Sequence, residues 1–379
     1  MKKTNTLILM AAALGLTLSA AGQAPAPAPS SAKQARTEQQ PSTPARAPLL
    51  NSSQPRTTMT PITEDTRVFP INPDITALSV SFPTRFGTTL VGHLYLPKDF
   101  DAAKRYPAIA VCGPFGAVKE QASGLYAQQL ASLGFVAVAF DPSFTGESSG
   151  EPRYVASPDI NTEDFCAAVD FLSLCPFVEA EHIGILGICG WGGLAINAAA
   201  LDPRIKATVA STMYDMCRVS ALGYNDSMTA EDRAQLRRSL ADQRLRDAAA
   251  GSYRRAGGVI DPLPDDAPLF VKDYYAYYKT PRGYHKRSLN SNEGWNATSV
   301  QPFLNSTLLD YAGEITAPVL IVHGEKAHSR YFGEGAFSKL KGDNKQLLIV
   351  PGASHVDLYD NMEKIPFEAI GDFFRTNLR

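Results

Sequence analysis

The chain predicts an α/β fold: a mostly parallel central sheet covered by helices on both faces. Three observations predict it. From residue 106 onward, short apolar runs alternate with helix-forming stretches, the order that buries a parallel sheet between helices. The runs at 108–111, 135–140 and 183–186 are almost continuously apolar, as strands covered on both faces are. A glycine-rich stretch, residues 183–193 (IGILGICGWGG), joins one such strand directly to a helix former, LAINAAAL at 194–201. With 379 residues, 44% of them hydrophobic, the chain is long enough for one large core carrying an insertion.

In order along the chain, residues 75–82 and 88–96 alternate as two antiparallel strands joined at 85–87. A strand is expected at 108–111, a helix at 121–133 and a strand at 135–140. A helix follows at 162–174, capped by Asn161 or Thr162. After the 183–201 unit come strands at 207–211, 319–322 and 347–350, and a closing helix at 367–377. The core pattern is interrupted over about 213–317 by a charged helix (229–249) and an aromatic run, YYAYY at 274–278, with Tyr284 and Trp295 beyond. An insertion of this length between core strands forms a lid or an oligomer surface. Its aromatics either line an acyl or aryl pocket or form the lid's own small core.

The first 22 residues read as a secretory signal: Lys2 and Lys3, an apolar run from about 6 to 18, then small residues. That run is shorter than the ~20 residues of a membrane span. No stable membrane anchor is therefore expected after cleavage, and no cysteine follows the run to accept a lipid. Residues 23–66, rich in Ala, Pro, Ser, Thr and Gln, read as a disordered tether, with order from 67 to 379 and a periplasmic or secreted location. A net charge of −2 without a basic stretch argues against nucleic acid as a partner. Five cysteines (112, 166, 175, 189, 217) do not make a disulfide framework, and their pairing stays open. Cys166 and Cys175, about 13 Å apart along one helix, are too distant to bridge. The six histidines form no metal-ligand spacing, so neither metal nor cofactor is expected.

The chemistry concentrates at Cys189. A side chain on a sharp strand-to-helix turn is exposed at the carboxyl end of the sheet, over a helix N-terminus. A thiol there is expected to have a lowered pKa. A literal G-x-S-x-G at 146–150 competes for the role, but its strand has already ended at Asp141 and no helix follows, so Ser148 is set aside.

These residues resemble the α/β-hydrolase superfamily, and within it the dienelactone-hydrolase-like branch with a cysteine nucleophile, over about residues 75–379. The resemblance implies a Cys-His-acid triad in the order nucleophile, acid, histidine, with a two-amide oxyanion hole. Cys189 takes the nucleophile position and Gly187 the glycine two before it. His355, in the loop after strand 347–350, takes the base position. The acid departs from the pattern, because Ala327 stands where an aspartate is usual; Glu325 and Asp215 are the two candidates. Gly190 and Phe115 supply the oxyanion N–H groups, since Pro114 has none. Glu120 either bonds near the thiol or is a solvated first-turn acid. Trp191 replaces the glycine expected two residues after the nucleophile. Its indole must turn away or partly cover the thiol.

The expected activity is hydrolysis of a carboxylic ester, lactone or thioester of small size through a cysteinyl thioester. Two other readings stay open: an acyltransferase or peptidase using the same site, and a non-catalytic binding protein. The oligomeric state is not legible.

Overall fold

A computed structural model describes residues 57–379. Among the described residues nine strands form one sheet in the order β1-β2-β3-β5-β4-β6-β7-β8-β9. Strands β1 (Thr58–Pro61), β2 (Thr76–Pro83) and β3 (Thr89–Leu96) are antiparallel, and β3 pairs antiparallel with β5 (Val136–Phe140). The rest is parallel: β4 (Tyr106–Cys112), β6 (Val178–Ile188), β7 (Ile205–Ser211), β8 (Val319–Gly324) and β9 (Lys345–Val350). The apolar runs in β4, β5 and β6 are buried because helices cover both faces.

Those covering helices are α1 (Ala122–Ser132), α2 (Pro158–Leu174), α3 (Gly190–Leu201) and the closing α9 (Phe367–Asn377). Helix α3 is apolar nearly all round because it lies between the sheet and α2. Helix α2 begins four residues before the expected start, with Ser157 at the cap position and Pro158 in the first turn, where a missing N–H costs nothing. The expected caps are used otherwise: Asn161 Oδ1 accepts the Ser157 N–H at 3.0 Å, and the Thr162 hydroxyl donates to Pro158 O at 2.6 Å.

The expected signal and most of the expected tether, residues 1–56, lie outside the described residues. The tether was expected to run to 66, yet Thr58–Pro61 is a strand on the free edge of β2. All four of its residues are exposed, so no apolar alternation announced it. Among the described residues no helix is long and apolar enough to cross a membrane. All five cysteines are free and buried.

The insertion between β7 and β8 carries α4 (Met216–Leu222), α5 (Ala230–Ala250) and α6 (Leu269–Tyr278). Thr229 and Asp232 form a reciprocal capping box at the start of α5, and Gly251 ends it in the left-handed region. Leu240 of α5 forms a separate small cluster with Val300 and Leu304. The aromatic run behaves differently. Tyr274, Tyr277 and Tyr278 join the main core, over the carboxyl ends of the strands.

Candidate active site

Cys189 sits between β6 and α3 with φ 59° and ψ −127°, a conformation that costs a non-glycine residue about 1–3 kcal/mol. Three backbone hydrogen bonds hold it there. Its N–H donates to Ser211 O (3.0 Å), and its carbonyl accepts from Gly192 (2.9 Å) and Tyr214 (2.8 Å). Gly187 is required because a Cβ would lie 2.0 Å from the Trp191 carbonyl oxygen.

The backbone N–H groups of Phe115 and Gly190 and the phenol of Tyr359 lie close enough to the Cys189 sulfur to lower the pKa of its thiol. The two N–H groups expected to form the oxyanion hole thus lie beside the same sulfur. The Phe115 loop is held by the insertion: Asn290 Nδ2 donates to Phe115 O at 2.7 Å, and Gly116 O accepts from Leu289 N (2.9 Å) and Ser288 Oγ (3.1 Å).

His355 follows β9 in a loop and is 1% exposed. Its Nε2 lies 3.0 Å from Tyr359 Oη, while Nδ1 lies 2.6 Å from Ser329 Oγ and 2.9 Å from Thr212 Oγ1. The expected acids are elsewhere. Glu325 is exposed and accepts the Gly352 N–H at 2.7 Å. Asp215 caps α4 by accepting the Arg218 N–H at 2.9 Å. Both are engaged by backbone N–H groups, Asp215 at its own turn and Glu325 at the turn after β9, and hydroxyls rather than a carboxylate meet the imidazole.

Four further expectations are resolved by packing. The thiol was expected to be acidic, but burial pushes the Cys189 pKa up, outweighing the lowering effect of Tyr359, Phe115 and Gly190 beside it. Burial also holds His355 well below the usual imidazole range, and His328 and His323 lower it further. Trp191 turns away from the thiol into the core, edge-on to Phe165 (5.4 Å) and Phe140 (6.0 Å). Glu120 lies buried in an ion network, bonding Lys119 Nζ at 2.8 Å and also Arg287. Ser148 is locked: its Oγ donates to Asp141 O at 2.6 Å and accepts the Val91 N–H at 2.9 Å.

The walls are aromatic and uncharged. Tyr214, Tyr274 and Tyr359 lie 5.3, 5.6 and 5.3 Å from the His355 ring, and His328 lies 5.2 Å away. Phe115 and Met216 border a slot of about 10 Å³, closed by Trp295, Val300 and Phe303. A larger cavity of about 490 Å³ lies at the opposite end of the sheet, by Glu181, Ile205 and Lys206, remote from this chemistry. Among the described residues no group of three His, Cys, Asp or Glu side chains is placed to hold a metal.

Sequence reasoning missed Tyr359, Ser329, Thr212 and Asn290. Tyr359 alone carried a signal, lying four residues after His355, one helical turn away.

This fold and this strand-to-helix elbow define a member of the α/β-hydrolase superfamily. The chain belongs to the X-Pro dipeptidyl-peptidase (S15) family, whose pattern matches residues 87–357. It is 53% identical over 315 residues to the uncharacterized protein PA2218 of Pseudomonas aeruginosa, covering 82% of this chain and 84% of that one. It is 32% identical over 297 residues to the uncharacterized protein YcjY of Escherichia coli (75% and 93% covered). It is also 30% identical over 198 residues to thiohydrolase aneE of Aspergillus aculeatus (52% and 57% covered). The crystal structure of PA2218 superposes with a TM-score of 0.82 at 52% identity, covering 85% of this chain and 99% of that one. The α/β hydrolase GrgF from a Penicillium species shares the fold: TM-score 0.63, 23% identity, covering 79% and 98%.

Proposed function

We propose that the protein is an exported hydrolase that cleaves a neutral, apolar ester or thioester through an acyl-cysteine intermediate on Cys189. The observation that carries this is the position of Cys189 at a positive-φ elbow between β6 and α3, with the Phe115 and Gly190 N–H groups beside its sulfur. Thiol first and histidine later is also the chain order of dienelactone-hydrolase-like proteins. The sulfur attacks the carbonyl carbon, and the developing oxyanion takes the two N–H groups as donors. His355 receives the thiol proton as general base and returns it to the leaving group. Water then hydrolyses the thioester by the same route.

The substrate class follows from the walls. Phe115, Tyr214, Tyr274, Tyr278 and Tyr359 surround the thiol and none is charged near neutral pH. A carboxylate or a peptide ammonium buried there would lack a counter-ion, at a cost of several kcal/mol. The name of aneE, a thiohydrolase, is consistent with thioester cleavage.

An activated aryl ester tests the reading. A burst of product with the acyl mass on Cys189, abolished in Cys189→Ala and within a few-fold of wild type in Ser148→Ala, supports it. Undiminished turnover in Cys189→Ala, or no acyl adduct, leaves a different nucleophile or a non-catalytic binding protein. A second reading, acyl transfer, is favoured by the 5% exposure of Cys189, which limits water at the thioester. Added alcohol or amine would then divert acyl product without changing the acylation rate. Export is tested by locating the mature N-terminus of the secreted or periplasmic protein.

A further inference from the structure

We propose that Tyr359 relays the proton between Cys189 and His355, so that thiol and imidazole exchange it through the phenol oxygen. The proposal rests on the reading of Cys189 as the nucleophile. Nδ1 of His355 is taken up by Ser329 and Thr212, which leaves Nε2 to face the reacting atoms. What Nε2 meets is Tyr359 Oη at 3.0 Å, and the same hydroxyl reaches the Cys189 sulfur.

Local structure accounts for the placement. Helix α8 (Asp357–Asp360) starts just after His355 and carries Tyr359 one turn on, back toward the imidazole. The Tyr359 ring is fully buried and wedged against Tyr277 (5.1 Å) and Tyr278 (6.3 Å), so the phenol has little freedom to leave this line. Burial also raises its pKa well above the usual range. The phenol therefore passes a proton in one motion without resting as phenolate.

The step balances. The S–C bond forms as the S–H bond breaks, and the thiol proton moves to Tyr359 Oη. The phenol's own proton moves to His355 Nε2. The carbonyl π pair goes to its oxygen, which the Gly190 and Phe115 N–H groups receive. When the intermediate collapses, the bond to the leaving alkoxide or thiolate breaks with its electron pair. The imidazolium proton then returns through Tyr359 to that atom, and no oxidant or reductant takes part.

The test measures acylation by a p-nitrophenyl ester in mixtures of H2O and D2O, with the acyl adduct on Cys189 followed by mass. A relay moves two protons in one transition state, so the wild-type rate should curve against deuterium fraction. Tyr359→Phe, which keeps the ring, should lower the acylation rate by about 10²-fold with KM within about threefold, and its plot should be straight. A straight wild-type plot with normal acylation of Cys189 overturns the relay but leaves the nucleophile standing. So does a folded Tyr359→Phe that acylates within about threefold of wild type. Absence of an adduct on Cys189 removes both. If Tyr359→Phe fails to fold, the wild-type plot decides alone.

Discussion

Ser329 Oγ lies 2.6 Å from Nδ1 of His355, at the nitrogen where the expected triad would hold a carboxylate. A hydroxyl orients the ring but brings no full negative charge to an imidazolium. With burial raising the thiol and lowering the imidazole, the resting pair is neutral thiol and neutral histidine. Deprotonation therefore accompanies attack rather than preceding it.

Removing that hydroxyl should have a small effect. Ser329→Ala should lower kcat by roughly 2–10-fold, the loss of a neutral hydrogen bond of about 0.5–1.5 kcal/mol. Glu325→Gln and Asp215→Asn should both stay within about twofold, since neither carboxylate meets His355. Steady-state kinetics on an aryl ester would decide; a loss of orders of magnitude in Glu325→Gln would reinstate the acid.

Asn290 should matter for rate without touching the thiol. Its amide holds the Phe115 carbonyl, and through it the N–H aimed at the sulfur. Asn290→Ala should reduce kcat about 10–100-fold with KM nearly constant, as expected when a donor drifts from an oxyanion. An unchanged kcat in a folded variant would show that the loop is set by its Gly116 bonds alone.

Trp191 packs in the core, so its loss should cost stability and not change access. Trp191→Ala should destabilise by about 3–5 kcal/mol in denaturant unfolding. The ratio of Cys189 alkylation rates by a bulky maleimide and by iodoacetamide should hold. Selective acceleration of the maleimide would mean that the indole shields the thiol after all.

Acid should weaken the fold through buried histidines. His328 is lowered to about 3, and His323 and His93 to about 4, all by burial. A histidine whose folded pKa is depressed leaves full stability above its unfolded value of about 6.5. As pH falls from there toward the folded value, the unfolded state binds the proton first and stability drops. The slope per such group is up to about 1.4 kcal/mol per pH unit. Asp164, raised to about 6, opposes this. His328→Phe should therefore flatten the fall in melting temperature between pH 6 and 4, though its tyrosine partner Tyr214 loses a hydrogen bond. An unchanged slope would mean that the histidine is protonated in the folded state.

Much of the fold was legible because buried parallel strands must be apolar on both faces, and 108–111, 135–140 and 183–186 announce themselves that way. The elbow was legible for a related reason: glycines at 187, 190, 192 and 193 crowd where a side chain would strike backbone (187, 193) or the side chains of Met216, Phe115 and Met213 (190, 192). Strand β1 was not, since an exposed edge strand is held by backbone hydrogen bonds that no side-chain pattern records.

By itself the sequence determined the α/β framework, the elbow at Cys189 and the histidine-bearing loop, because local periodicity and turn chemistry prescribe each of them. Only the tertiary structure decided which groups meet. It turned Trp191 inward against Phe165 and Phe140, tied Glu325 and Asp215 to backbone N–H groups away from the imidazole, and brought Ser329, Thr212, Tyr359 and Tyr274 of α6 around His355. It also reversed the expected acidity of the thiol. The physical reason is common to all of these: hydrogen-bond partners and desolvation belong to the space between distant segments, and burial there outweighed the local field of one helix end.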